Sequence, residues 1–401
     1  MNNSRKTVVL AYSGGLDTTY TAKYLSVEKN MDVITVVGNT GGFSDEQLAK
    51  IKSKAEELGS KKHVVLNVEK EYYDYCIKYL IYGNVLKNNT YPLSVSSERY
   101  FQARAIAEYA NSIGADALAH GCTGAGNDQV RFDLVFKLLA PDKEIIALVR
   151  DANLSREEEI AYLRKHGVNS DFTKMEYSIN EGLWGTSVGG KETLTSHKAL
   201  PSAAYPSQAT KTEPEKLEIE FEKGQVVAVN GKTFAHKVDA IRYLNEIGKA
   251  FAIGRGIHVG DTIIGTKGRV GFEAPAAYLI VKAHHELEKH TLTKWQMQWK
   301  EQLGSWYGTM MHDSMYLEPT MRNVENFLED TQKHVTGKVT LTLHPYYFMM
   351  EGVTSKYDLM NSNFGSYGES AGRWTGEDVK GFVTIMSNSL RNYYAVNSDE
   401  L

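Results

Sequence analysis

A glycine pair follows an apolar run near the start of the chain. Ser13-Gly14-Gly15-Leu16-Asp17-Thr18-Thr19 comes directly after Thr7-Val-Val-Leu-Ala-Tyr12. The apolar run predicts a buried strand of a parallel sheet, Ser13 to Gly15 a tight turn, and Thr18 to Glu28 a helix. Free N–H groups and the dipole at such a helix N-terminus favour an anion. The glycines let the backbone approach a phosphate closely, and Ser13, Thr18 and Thr19 can add hydroxyl donors. Asp17 would repel a phosphate unless a divalent cation or a helix N–H takes up its charge. The string has neither the Gly-Lys-Ser/Thr ending of a Walker loop nor the third glycine of a dinucleotide fingerprint. A purely structural turn is the weaker reading.

A second reactive stretch is Gly121-Cys-Thr-Gly-Ala-Gly-Asn-Asp-Gln-Val-Arg131. Three glycines expose backbone, and Thr123, Asn127, Asp128 and Arg131 crowd polar groups into a short span. The first three suit a ligand with both ammonium and carboxylate groups. Arg131 suits a carboxylate clamped by two parallel hydrogen bonds. The plainer reading of Arg131 is a surface ion pair with Asp133 or Glu144. Cys122 lacks a base partner and reads as a packing residue. His284-His285 has no metal partner at a useful spacing and reads as two partly exposed helix residues.

Positioning these groups requires alternating strands and helices. Strands are predicted at Met31 to Gly38, Lys62 to Val68, Ala115 to Gly121 and Glu144 to Val149. Helices are predicted near Lys70–Tyr82 and Glu98–Ser112. Ser44 with Gln47, and Ser155 with Glu158, form capping boxes for two more, reaching about Leu58 and His166. The pattern predicts an α/β fold with a doubly wound parallel sheet, whose ligand lies beyond the carboxyl ends of the strands.

Composition shifts after about Thr173. Glu192 to Glu215 reads as a long irregular connection. Leu217 to Phe221 and Val226 to Val229 read as a hairpin, and Val238 to Ile247 as a helix. Short strands are expected within Ile263 to Phe272, and a long helical stretch over Ala276 to Tyr307, broken near Thr291. A strand is expected at Lys338 to Leu343, and a final helix at Thr375 to Tyr394. The expected organisation is a nucleotide-binding domain at 1–172, a second α+β synthetase domain at 173–360, and a C-terminal helical arm at 361–401.

With 401 residues, 42% hydrophobic and 23% charged, the chain has ordinary globular composition. Its net charge of −4 carries no general nucleic-acid footprint. Cys76 and Cys122 fit no metal or redox spacing, which suits a reducing compartment. Arg5 and Lys6 precede an apolar run too short for a signal peptide, and no stretch is long enough to span a membrane. The expectation is a cytoplasmic protein with small-molecule partners, no nucleic acid and no membrane.

The glycine-turn string resembles the pyrophosphate loop of the N-type ATP pyrophosphatases. More specifically, Ala-Tyr-Ser-Gly-Gly-Leu-Asp-Thr at 11–18, His-Gly-x-Thr-Gly-x-Gly-Asn-Asp-Gln-Val-Arg-Phe at 120–132 and Tyr-Ser-(x)4-Leu-Trp-(x)2-Ser at 177–187 are similar to argininosuccinate synthases. The resemblance runs from about Thr7 to Tyr393. It implies ATP-dependent ligation of citrulline and aspartate through a citrullyl-adenylate, giving argininosuccinate, AMP and pyrophosphate in arginine biosynthesis. This is urea cycle-type chemistry. It depends mainly on positioning and charge stabilisation, so no acid–base residue is nominated. The resemblance implies that Ala11, Tyr12, Ser13, Gly14, Gly15, Leu16, Asp17, Thr18, Thr19, Gly38 and Gly121 hold ATP. Magnesium would accompany the phosphates. Thr123, Asn127 and Asp128 would bind aspartate. Tyr91, Ser96, Asn127, Arg131, Ser178 and Ser187 would bind citrulline. A homotetramer is implied, with the C-terminal helix as an intersubunit arm.

Gly38 stands where relatives usually have alanine, a mild change, and two further departures from the family pattern matter. Gly260 and Phe272 stand where relatives have a glutamate and a tyrosine completing the citrulline pocket. A free α-ammonium would lose its carboxylate partner, whereas an acylated, neutral nitrogen would lose little. An N-acetyl or N-succinyl citrulline is therefore an alternative acceptor. The simpler alternative has Asp261 or Glu273 replacing the carboxylate.

Three rival classes share the loop. A tRNA thiolase or lysidine synthase would be expected to bring a basic surface, and a thiolase cysteine pairs as well. An ammonia-using ligase would lack the 120–132 string. A non-catalytic nucleotide sensor would bind ATP without releasing pyrophosphate.

Overall fold

The computed structural model describes residues 5–169, 177–362 and 373–400. The expected domain boundary at 172/173 lies outside the described residues. By compactness the chain divides into two units, Met1–Lys356 and Tyr357–Leu401.

The first half of the larger unit is a parallel sheet flanked by helices. Its strands are β1 (Thr7–Ala11), β2 (Asp32–Asn39), β3 (Lys62–Asn67), β4 (Ala117–Ala119) and β5 (Glu144–Ile146). They lie in the order β3-β2-β1-β4-β5, all parallel. Val8, Val9 and Leu10 are fully buried, as a parallel strand covered on both faces requires. Successive connections leave β1 in opposite directions, to β2 on one side and β4 on the other. A crevice opens at such a reversal, beyond the strands' carboxyl ends.

Helices α1 (Leu16–Val27), α2 (Asp45–Glu57), α3 (Glu69–Tyr72), α4 (Lys78–Tyr82), α5 (Arg99–Ser112), α6 (Asp128–Leu139), α7 (Leu148–Asp151) and α8 (Arg156–Lys165) connect and cover these strands. A π-helical turn, Tyr73–Ile77, joins α3 to α4. Both expected capping boxes are present, Ser44 with Gln47 and Ser155 with Glu158. Each pairs two helix-end donors with side-chain oxygens. The strand expected at Glu144 to Val149 is shorter: it ends at Ile146, and Leu148 already lies in α7.

Two antiparallel sheets follow. One has the order β11-β12-β7-β6, from β6 (Ser178–Asn180), β7 (Thr186–Gly189), β11 (Arg255–Asp261) and β12 (Lys267–Glu273). The other has the order β10-β9-β8-β13-β14, from β8 (Glu215–Glu222), β9 (Gln225–Val229), β10 (Lys232–Thr233), β13 (Gly337–His344) and β14 (Tyr347–Thr354). The hairpin expected around 222–224 is β8–β9, turned by Lys223 and Gly224 with φ of 47° and 75°. The short strands expected within 263–272 are in fact the second arm of a longer hairpin, β11–β12.

Helices α9 (Lys237–Ala250), α10 (Pro275–Thr291), α11 (Lys294–His312) and α12 (Pro319–Thr331) complete the larger unit. The expected break near Thr291 is present, with Thr293 capping α11. His284 departs from expectation: it is fully buried, bonded to Asn84 and Gln332. In the smaller unit the expected final helix is two, α13 (Gly376–Met386) and α14 (Asn388–Val396).

Candidate active site

A cavity of about 1150 Å³ opens beyond β1, β2 and β4 and reaches the β7–β12–β11 sheet. Its floor at the β1 end is the glycine turn. Gly15 precedes α1 in an extended conformation with no side-chain cap, so the first N–H groups of the helix are left for another acceptor. Thr18 ties the turn together: its hydroxyl donates to Gly15 O at 3.3 Å and accepts from Ser13 N at 3.4 Å. Gly14 has φ of 75°, a left-handed conformation that suits glycine. Burial pushes the Asp17 carboxyl up, opposed by its backbone hydrogen bond and by Arg156.

The neighbouring strand ends come very close. A Cβ on Gly121 would lie 2.9 Å from Thr18 N, and one on Gly38 would lie 2.9 Å from Gln102 Cα. Only glycine lets β4 and β2 meet α1 and α5 at these distances. His120 shapes the following loop. Its Nδ1 accepts from Cys122 N at 3.2 Å, which leaves Nε2–H to donate to Asp133 at 2.8 Å.

Beyond that loop lies a chain of charges. Arg99 Nε donates to Asp128 Oδ2 at 2.9 Å, and Arg131 Nη1 to Asp128 Oδ1 at 2.8 Å. Burial alone would raise the Asp128 pKa, but the two guanidiniums hold it at about 2. Arg99 Nη1 also donates to Glu98 Oε1 at 3.1 Å, while Thr40 donates to Glu98 Oε2 at 2.8 Å. Burial pushes Glu98 up to about 7 despite Arg99 and Thr40. Arg131 is buried, and its Nε and Nη2 both grip His312 O, at 3.1 and 2.9 Å. The fork expected to clamp a carboxylate is thus engaged by Asp128 and by the end of α11. Asn127 Oδ1 accepts from Ile263 N at 2.9 Å, tying the same loop to the β11–β12 turn.

The opposite wall carries Tyr91, Ser96, Ser187 and His258. Trp184, fully buried, donates to Pro92 O at 2.9 Å and fixes the 91–96 segment against β7. Within that segment Leu93 has φ of 61°, a strain of order 1–3 kcal/mol that the surrounding packing must offset. Tyr91 stacks on His258 with ring centroids 5.0 Å apart. The Ser96 hydroxyl and His258 Nδ1 are buried without hydrogen-bond partners. Burial, with His312 and Lys87 nearby, brings His258 down to about 4, so its ring is neutral at pH 7.

The cavity brings together most residues expected from sequence. Ala11, Tyr12, Ser13, Gly15, Leu16, Asp17, Thr18, Gly38 and Gly121 line one end; Thr123, Asn127, Asp128 and Arg131 the middle; Tyr91, Ser96, Ser178 and Ser187 the other end. Gly14 and Thr19 are buried behind the turn and are not part of the lining. Phe272 is fully buried beneath Tyr91 and Tyr278, whereas Gly260 lines the wall. Sequence reasoning missed Thr40, Glu98, His258 and His312. Glu98 sits one residue before the Arg99 it bonds, but nothing local marks the histidines. Among the described residues no group of three or more His, Cys, Asp or Glu could hold a metal.

The chain matches known proteins over nearly its whole length. Residues 7–169 match the family described as arginosuccinate synthase N-terminal HUP domain, and residues 177–393 match the arginosuccinate synthase C-terminal domain. The argininosuccinate synthase of Dictyoglomus turgidum is 38% identical over 392 residues, covering 97% of each chain. That of Pelodictyon phaeoclathratiforme is 35% identical over 402 residues, 98% of this chain and 99% of its own. That of Methanocaldococcus jannaschii is 36% identical over 364 residues, 90% and 91%.

Proposed function

Because this chain belongs to the argininosuccinate synthase family, we propose that it is an ATP-dependent carbon–nitrogen ligase that joins a citrulline-type acceptor to aspartate. The supporting observation is a single cavity that runs from the glycine turn, past the 121–131 loop, to the Tyr91–Ser187 wall. A reaction with three substrates needs such a continuous space.

In the first step the ureido oxygen attacks the α-phosphorus, and the bond from that phosphorus to the bridging oxygen breaks. Pyrophosphate leaves with the bridging electrons. Ser13, Gly15 and Thr18, with the open N-terminus of α1, hold the phosphates, and Gly38 and Gly121 meet the nucleotide through their backbone. Asp17, in the first turn of α1, would help hold a magnesium ion bound to the phosphates, which would screen their charge. In the second step the aspartate amine attacks the ureido carbon. The carbon–oxygen bond breaks, AMP leaves and the amine gives up a proton. Thr123, Asn127 and Asp128 orient aspartate; Tyr91, Ser96, Asn127, Arg131, Ser178 and Ser187 orient the acceptor. Asp128, kept anionic by Arg99 and Arg131, fixes both guanidiniums beside the 121–131 loop. Rate enhancement comes mainly from holding the three reactants in line.

The enzyme works in the cytoplasm as a homotetramer. Neither α13 nor α14 has a buried residue, and Phe382, Ile385, Met386 and Leu390 are exposed, which suits burial against other subunits. No described helix is long and apolar enough to cross a membrane.

Isotope exchange between pyrophosphate and ATP, run with an acceptor but without aspartate, tests the adenylation step. Acceptor-dependent exchange is expected, and adding aspartate should release one AMP per pyrophosphate. ADP as the product would overturn the reading.

A further inference from the structure

The wall that faces the acceptor is one face of the β7–β12–β11 sheet. Ser187 pairs with Phe272, His258 with Val270, and Gly260 with Gly268. Side chains alternate along a strand, so Ser187, Val270, His258, Gly260 and Gly268 share that face. All five line the cavity. None is acidic.

Of the carboxylates around that face, Glu181 follows β6 and accepts only from Gln47, at 3.4 Å, and the others are engaged. Glu273 alternates to the other face, where it accepts from Arg255 at 3.0 Å and from Ser207 at 2.7 Å. Asp261, at the strand end, is paired with Lys267 at 2.6 Å. Asp128 is held by two arginines, and Glu98 by Arg99 and Thr40. On that sheet face an α-ammonium would meet the neutral side chains of Ser187, Val270 and His258, with Lys87, Arg131 and His312 nearby. An unpaired buried cation is strongly disfavoured.

Neither ring nitrogen of His258 is hydrogen-bonded within the protein, and its ring stays neutral at pH 7. A neutral imidazole can donate from one nitrogen and accept at the other, which suits an amide. Gly260 makes the space: a Cβ there would lie 2.5 Å from His258 Nε2.

We propose that the preferred acceptor is an α-N-acylated citrulline, an anion whose amide hydrogen-bonds His258 in the room left by Gly260. This rests on the adenylating-ligase reading. The ureido oxygen and the aspartate amine react as before. The acyl group stays in place, so the product is an acylated argininosuccinate and a later amide hydrolysis must remove it.

The test uses the full chain with citrulline, Nα-acetylcitrulline and Nα-succinylcitrulline, first in pyrophosphate–ATP exchange and then in steady state with aspartate. An acylated acceptor is expected to exceed citrulline in kcat/KM by about tenfold or more, the scale of one well-made hydrogen bond plus relief of an unpaired charge. His258→Ala should lower that ratio while acceptor-free ATP binding, read by nucleotide titration, stays in place. A higher kcat/KM for citrulline overturns the proposal and leaves the ligase reading intact. A ratio unmoved in His258→Ala overturns the role given to His258. Exchange with none of the three acceptors defeats the ligase reading itself.

Discussion

Replacing Gly121 with alanine should separate the nucleotide end of the site from its support. The added carbon would lie 2.9 Å from both Thr18 N and Thr18 Cγ2, and 3.0 Å from Asp17 C. Two of these are backbone atoms of the first turn of α1, so no side-chain rotation relieves the overlap. Ordinary contact would require β4 and α1 to part by about 0.5 Å or more, and overpacking of this kind costs about 1–3 kcal/mol. The same shift moves the N–H groups proposed to receive phosphate, and a misplacement approaching 1 Å can cost about 100-fold in rate. Chemical denaturation should therefore show the stability loss. Pyrophosphate–ATP exchange should show kcat/KM for ATP falling by about 10- to 100-fold, within the range of that misplacement. Gly126→Ala in the same loop is the stability control, because its added carbon meets nothing within 4 Å. If Gly121→Ala unfolds at the same denaturant concentration as the parent and keeps its ATP dependence, the close packing of β4 on the phosphate turn is not what positions it.

Other perturbations have equally definite signs. Glu98 has its folded pKa raised from 4.5 to about 7, so its stability contribution is full below 4.5 and is lost as pH rises through 7. Glu98→Gln should thus gain on the parent by up to about 3 kcal/mol between pH 5 and pH 8; a pH-independent difference in denaturation midpoints would refute this. Lys300 and Glu288 are both fully buried and paired at 2.8 Å. Lys300→Met should cost about 3–5 kcal/mol in urea unfolding because it strands the carboxylate, and adding Glu288→Gln should recover part of that loss. Arg131→Lys gives up the two-pronged grip on His312 O, so it should raise KM for the acceptor more than KM for ATP. Equal changes in both constants would argue that Arg131 supports the whole cavity rather than its acceptor side.

What could be read from sequence was what depends on covalent neighbours. The strand–turn–helix around Ser13 to Thr18 and the caps at Ser44 and Ser155 are local, because each interaction closes within a few residues. Strands β6 and β7 escaped because each spans only a few residues and is held by pairing, β6 to β7 and β7 to β12, which no alternation within them signals. The β11–β12 hairpin was half seen: glycines at 256, 260, 265, 268 and 271 look like a loop until the register shows the wall they form. His284 was expected on a surface, but Asn84 and Gln332, remote in the chain, give its ring two buried partners.

The same distinction explains the site. The polar string at 121–131 announced a binding loop, yet the disposition of Arg131 is set by a carbonyl 181 residues away. His258 reaches the cavity because Tyr91 offers it a stacking face and Val270 sets its register. Neither fact leaves a trace within a few residues of the histidine. The end of the cavity proposed to take the phosphates, built from backbone N–H groups and tight turns, is therefore written locally. The end proposed to take the acceptor is an assembly of side chains from separate elements, and a single exchange there, such as an acid for a glycine, would change which charge the wall accepts without disturbing any motif. Specificity for the acceptor can thus drift while the adenylation chemistry stays put, and the choice between a free and an acylated nitrogen is expected to follow residues 258 and 260 rather than the glycine turn.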